Sequence, residues 1–264
     1  MSFFNKNIWI TGASSGIGRA LAIELANQNA TLILSSRNKK VLELVKNECK
    51  DPSKVKIVTL DLEDYTNLES KVEEAISCFG KIDVLVNNGG ISQRSFAVDT
   101  QVLVDKRIME INYLGTVALS KAILPHFKKN KKGHFVVTTS IVGKIGTPLR
   151  SSYAASKHAL HGFFDSLRAE VFKDNIAVTL VCPGFVNTNV SKNALTGNGT
   201  PQEKMDTATE NGIKPERFAK LMIKAIKRKK EEVYIAGTKE KLAVYAKRFY
   251  PKLVSVMIRK LSVT

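Results

Sequence analysis

Asn7-Ile8-Trp9-Ile10-Thr11-Gly12-Ala13-Ser14-Ser15-Gly16-Ile17-Gly18 is the stretch that decides the fold. Its first four residues read as a strand, and the apolar periodicity over 17–27 reads as a helix. Gly12 permits a tight turn between them, while Gly16 and Gly18 let backbone approach a pyrophosphate and pack on a sheet. The helix start then offers free N–H groups and the positive end of its dipole. A glycine-rich loop alone is weak evidence. One placed between a strand and a helix says much more.

The same alternation runs down the chain. Strands are expected over 31–35, 55–60, 82–86, 135–139, 177–181 and 233–235. Helices are expected over 39–49, 65–79, 99–124 with a break, 151–171 and 215–228. Short apolar strands separated by helices indicate a parallel sheet covered on both faces. No internal repeat or Pro/Gly/Ser-rich linker divides the 264 residues, so one domain is expected. Residues 187–214 are polar and glycine-containing, and follow the carboxyl end of a strand. Ligands bind at that end of an open α/β sheet, so this segment is expected to be a mobile substrate lid.

Tyr153-Ala154-Ala155-Ser156-Lys157 sets a phenol and an ammonium four residues apart, with Ser140 thirteen residues upstream. Positions i and i+4 share a helix face, so both groups can enter one pocket. A phenol titrates near pH 10 and is a poor proton donor or acceptor at neutrality. A cation about 4–5 Å away can lower that value by roughly 3 pH units. The pair is therefore a candidate general acid/base.

Composition narrows the classes. The chain is 44% apolar and 25% charged, as soluble globular proteins are. It has no uncharged apolar run of about 18 residues, and its start lacks the order of a signal peptide. Cys49, Cys78 and Cys182 are far apart and without CxxC spacing. This argues against a disulfide framework or a metal site and for a reducing, cytoplasmic setting. The net charge of +17 attracts anionic surfaces. Lys128–Lys132 and Lys227–Lys230 read as solvated loops or helix ends, and no nucleic-acid motif accompanies them, so no specific nucleic-acid partner is expected.

Taken together in order, Thr11-Gly12-x-x-x-Gly16-x-Gly18, Asp61-Leu62, Asn87-Asn88-Gly89-Gly90, Asn112, Ser140, Tyr153-x-x-x-Lys157 and Pro183-Gly184 with Thr188 resemble the short-chain dehydrogenase/reductase family over roughly 7–237. Gly89 departs from it, since the family usually has alanine there. The resemblance implies a single doubly wound Rossmann-type α/β domain with a mostly parallel seven-stranded sheet in the order 3-2-1-4-5-6-7. It implies that Tyr153 is the acid/base and that Ser140 bonds the substrate oxygen. Lys157 would hold the nicotinamide ribose and lower the Tyr153 pKa, and Asn112 would support a water leading to Lys157. The cofactor site would comprise Gly12, Ser14, Ser15, Gly16, Ile17 and Gly18 at the phosphates, with Asp61 and Leu62 at the adenine. Asn88, Gly89 and Gly90 would lie on the ribose side, and Pro183, Gly184, Val186 and Thr188 at the nicotinamide. His126, His134, His158 and His161 match no catalytic position and read as packing or surface groups.

Ser36 stands where an NAD-specific member carries an acid, and Arg37 beside it can clamp a 2′-phosphate, so NADP(H) is the expected cofactor. The expected reaction is NADPH-dependent reduction of a ketone or aldehyde, or the reverse, on a hydrophobic or lipid-like small molecule. A ketoacyl-thioester reductase acting on acyl carrier protein is the alternative, with a non-catalytic nucleotide-binding scaffold behind it. The 27 residues after Gly237 disfavour the thioester subgroup and liken the chain to the hydroxysteroid- and lipid-metabolising branch, including the dehydrogenase/reductase member 7 type. Family habit implies a homodimer or homotetramer.

The tail, 239–264, sets Lys239, Lys241, Lys247, Arg248, Lys252, Arg259 and Lys260 against one acid, Glu240. Leu242, Tyr245, Phe249, Leu253, Val256 and Met257 recur at helical steps, and Pro251 is placed to start a second helix. An amphipathic basic extension of this kind suits an anionic membrane surface or a second subunit.

Overall fold

The computed structural model describes residues 3–259; Met1, Ser2 and residues 260–264, including the tail cation Lys260, lie outside the described residues. β1 (Asn7–Thr11) leads through the glycine loop into α1 (Gly16–Asn27). There follow β2 (Thr31–Ser35), α2 (Lys39–Glu48), β3 (Val55–Ile57), α3 (Leu68–Phe79) and β4 (Val84–Asn87). The second half comprises α4 (Val102–Met109), α5 (Gly115–Lys129), β5 (Gly133–Thr138), α6 (Ser151–Glu170) and β6 (Ile176–Pro183). A short α7 (Thr207–Glu210), α8 (Pro215–Lys227), β7 (Glu232–Ile235), α9 (Thr238–Phe249) and α10 (Pro251–Arg259) complete it.

The strands form one parallel sheet in the order β3-β2-β1-β4-β5-β6-β7, as the resemblance implied. Strand side chains alternate between faces, and the core divides accordingly. Ile8, Ile10, Leu32, Leu34, Val84 and Val86 pack under α1, α2 and α8. Trp9, Ile33, Leu85, Phe135 and Val137 pack under α3, α5 and α6. The chain reverses direction across the sheet between β1 and β4, which opens a crevice at their carboxyl ends.

Three elements differ from the sequence expectation. β3 stops at Ile57, although Val58 and Leu60 still donate to Leu34 and Ser36 at 3.1 and 3.3 Å, because an outer strand needs only one ladder. The 65–79 helix begins as a 3₁₀ turn at Tyr65–Asn67. The 99–124 helix becomes α4 and α5 joined by a π-helical turn, Glu110–Leu114, and runs on past Pro125 to Lys129. Proline removes one helical hydrogen bond there, but Ile123 and Phe127 on either side are fully buried and hold the helix.

Candidate active site

The glycine loop is shaped by its neighbours. Gly12 has φ +64°, a conformation that disfavours a side chain. A Cβ on Gly18 would stand 2.2 Å from the Gly12 carbonyl oxygen and 2.7 Å from Asn88 Nδ2. Thr11 Oγ1 accepts from the N–H groups of Asn88 and Gly89, both at 3.0 Å, so the ends of β1 and β4 form one unit. At Gly89 a Cβ would meet Leu62 Cδ1 at 2.8 Å, so the absent methyl is matched by a side chain from the neighbouring loop. Ser15, the N-cap of α1, makes no side-chain cap bond, which leaves first-turn N–H groups for a ligand.

Every cofactor-binding residue expected from sequence except Gly18 lines one cavity of about 1180 Å³, together with Ser140, Tyr153 and Lys157. Gly18 lies beneath it, where it allows the loop to close. At the end of β2 the Ser36 hydroxyl oxygen is buried without a hydrogen-bond partner, and Arg37 is exposed beside it on the cavity wall. A hydroxyl with no partner beside a guanidinium, next to an open helix N-terminus, offers hydrogen-bond donors that fit a dinucleotide's phosphates and ribose.

Tyr153 sits in the first turn of α6, held by a residue far away in sequence. The side-chain carbonyl of the fully buried Gln93 accepts from the N–H groups of Ser152 at 2.9 Å and Tyr153 at 3.3 Å. It thus caps α6 from the loop after β4. Ser140 Oγ accepts from Val142 N at 3.1 Å, and its hydroxyl is near enough to the Tyr153 phenol to influence its titration. Burial pushes the phenol above its ordinary value, while that hydroxyl and the Arg150 and Arg94 guanidiniums pull it back.

Lys157 is buried beside Tyr153: its ammonium lies 5.8 Å from the ring centroid and donates to the Thr138 carbonyl at 2.9 Å. Desolvation lowers the lysine to about 8. Asn112 lies directly behind Gly90, which lines the cavity next to Lys157. It sits in the π-helical turn, donates to Ile91 O at 2.9 Å and Ser156 Oγ at 3.0 Å, and accepts from Ile91 N at 2.8 Å. Its amide is committed to joining the turn to α6.

Sequence reasoning missed the polar wall of the site. Arg94 Nε lies 2.8 Å from Asp206 Oδ2, and Arg150 Nη2 lies 3.7 Å from the same oxygen; all three side chains are buried. Hydrogen bonds from Arg94 and Gln202 hold the Asp206 carboxyl low against the upward push of burial. Residues 187–214 wall this side, with Thr188, Asn189, Asn193 and Leu195 on the cavity. Sequence position gave no signal for this, since Arg94 and Asp206 are 112 residues apart.

His161 is buried, and its ring joins Cys182 Sγ at 3.8 Å to Glu232 Oε2 at 3.3 Å. The three form a compact N, S and O cluster. Lys144 holds the same carboxylate at 2.7 Å, and burial pushes the Cys182 thiol up to about 12. A charge-paired carboxylate and a firmly protonated thiol make this a packed polar network tying α6 to β6 and β7. Cys49, Cys78 and Cys182 are all free thiols, and no described helix is long and apolar enough to cross a membrane.

Known proteins match this arrangement. A family model described as short chain dehydrogenase matches residues 6–199. A "Dehydrogenase/reductase SDR family protein 7-like" of Anopheles gambiae is 43% identical over 261 residues, covering 97% of this chain and 82% of that protein. The "Dehydrogenase/reductase SDR family member 7B" of Bos taurus is 43% identical over 256 residues, covering 94% and 79%. A solved short chain dehydrogenase/reductase from Burkholderia phymatum in complex with NAD has a TM-score of 0.83 at 22% identity, with 96% of each chain covered. At that identity the likeness is one of fold. Levodione reductase gives a TM-score of 0.80 at 24% identity, covering 90% of this chain and 99% of that one. With a family match over most of its length and relatives at this identity, the chain belongs to the short-chain dehydrogenase/reductase family of oxidoreductases, in the branch of the member 7 and 7B proteins.

Proposed function

We propose that this protein reduces a ketone or aldehyde with NADPH, on a molecule combining an apolar chain with an anionic group. The observation that carries the reading is that Ser140, Tyr153 and Lys157 line the same cavity as the glycine cradle. When bound, NADPH supplies the hydride. Ser140 and Tyr153 donate hydrogen bonds to the carbonyl oxygen as charge develops there, and Tyr153 delivers the proton. A raised phenol pKa keeps that proton on Tyr153 at neutral pH, as reduction requires. Arg94 and Arg150 sharing Asp206 beside Tyr153 favour an anionic group at the polar end. Ile141, Val142, Leu253, Val254 and Met257 give an apolar lining elsewhere. Residues 187–214 then act as the substrate lid. NADPH oxidation measured across a panel of carbonyl compounds, with and without a carboxylate or phosphate, tests the reading; no turnover with any carbonyl would reject it.

The tail supports a lipid setting. Leu242, Tyr245, Phe249, Leu253 and Met257 are all more than half exposed on α9 and α10, among Lys241, Lys247, Arg248, Lys252 and Arg259. Only Val254 of α10 is buried, so most of this stripe is open to solvent, with Tyr245 meeting Tyr234 of β7 edge to face. Each cation near anionic lipid is worth about 1 kcal/mol, and Leu253 and Met257 also line the cavity, which puts its mouth at that surface. The protein is expected to co-sediment with anionic vesicles at low salt, and a Phe249→Asp, Leu253→Asp variant to stay in the supernatant. Wild-type protein left in the supernatant would refute the membrane contact. The assembly is taken as a homodimer or homotetramer, as is the family's habit.

A further inference from the structure

The first turn of α9 touches the other end of the site through one side chain. Glu240 Oε1 accepts from the Phe185 N–H at 3.1 Å, and its second oxygen accepts from Gly237 N as part of a capping box. The contact is close-packed as well as hydrogen-bonded. A Cβ on Gly184 would stand 2.5 Å from Glu240 Oε1 and 2.7 Å from Ala236 Cβ, so glycine is needed there because α9 presses on the loop. The remaining backbone of that loop is held by Gly184 N donating to Ile235 O at 3.0 Å and by Ile213, whose N–H donates to Phe185 O at 2.9 Å and whose carbonyl accepts from Asn187 N at 3.0 Å. Of these three clamps, β7 and the segment before α8 belong to the domain. Only Glu240 belongs to the C-terminal helices.

We propose that Glu240 is a positioning residue: its carboxylate latches α9 to the loop 183–188, so the nicotinamide end of the site keeps its shape only while the C-terminal helices are seated. The inference rests on the cofactor reading above and extends it to residues outside the catalytic set. Glu240 touches neither Tyr153 nor Ser140; it acts through the backbone of Phe185, which follows Pro183-Gly184 directly. α9 also packs against the turn Ile141–Gly143, immediately after Ser140, so both strand ends that form the reacting side of the cavity meet this helix. A tail whose outer face is apolar and cationic, and which itself lines part of the cavity, is thereby hydrogen-bonded to the loop through one carboxylate, and a surface that seats the tail would hold the loop in place.

The test uses full-length protein with Glu240→Ala and Glu240→Gln. NADPH probes the whole cofactor site, and 2′,5′-ADP probes its adenosine end alone. Hydrogen exchange over 183–188 reports the latch without any ligand. Loss of one charge-assisted bond should weaken NADPH about tenfold in Glu240→Ala, with 2′,5′-ADP affinity unchanged and exchange in the loop accelerated. Glu240→Gln keeps an acceptor for Phe185 N–H and should recover most of both losses. Unchanged exchange and unchanged NADPH affinity in Glu240→Ala would overturn the proposal. So would equal losses for NADPH and 2′,5′-ADP, which would mean general destabilisation. If wild-type protein binds neither ligand, the cofactor reading has failed, and the exchange experiment still decides the latch.

Discussion

Tyr153→Phe lowers carbonyl turnover by roughly 10²–10⁴-fold, the usual worth of a positioned proton donor. The substitution removes one hydroxyl and keeps the ring, so the packing of α6 and the cofactor cradle survive. What disappears is the phenol hydroxyl beside Ser140 and the proton it delivers. Single-turnover kinetics with saturating NADPH would check it; a variant keeping more than about a tenth of wild-type chemistry would remove Tyr153 from the acid/base role. The pH dependence follows from the same groups. With its pKa raised by burial, the phenol stays protonated through neutrality, which suits reduction and opposes alcohol oxidation. Lys157, lowered to about 8, loses its ammonium charge as pH rises through that value. Reductive kcat should therefore hold below pH 8 and fall above it, while alcohol oxidation should climb with pH as phenolate forms. A reductive rate that rises from pH 7 to pH 9 would contradict this assignment.

Arg37→Ala should weaken NADPH binding by roughly 10–100-fold and leave NADH within about twofold, because hydrogen bonds to a charged group contribute about 1.5–3 kcal/mol. The 2′-phosphate is the only difference between the two cofactors. Arg37 stands exposed on the cavity wall beside the orphaned Ser36 hydroxyl, so a phosphate there would gain a guanidinium and a hydroxyl donor together. Ser36→Asp in the same background should move preference towards NADH, since a carboxylate accepts from a ribose 2′-hydroxyl and repels a phosphate. Fluorescence titration of both cofactors with each variant separates these effects. Equal losses for NADPH and NADH in Arg37→Ala would refute the role.

The sequence by itself determined the architecture and the two ends of the site. Apolar strands alternating with helices require a parallel sheet, because only helices on both faces bury such strands, while the order of the seven strands came from the resemblance to the family. The glycine loop and the Tyr153/Lys157 spacing are local motifs, within one turn or one helix, so they could be read without coordinates. Tertiary structure decided whatever depends on which distant segments meet. Gln93 caps α6 across 59 positions, Asp206 reaches Arg94 across 112, and Glu240 reaches Phe185 across 55. It also showed Lys157 donating to the Thr138 carbonyl and Asn112 seated in a π-helical turn. Such contacts are set by helix rotation and loop register, which residue type and spacing leave free; a helix period places side chains on a face, and only packing decides what that face meets.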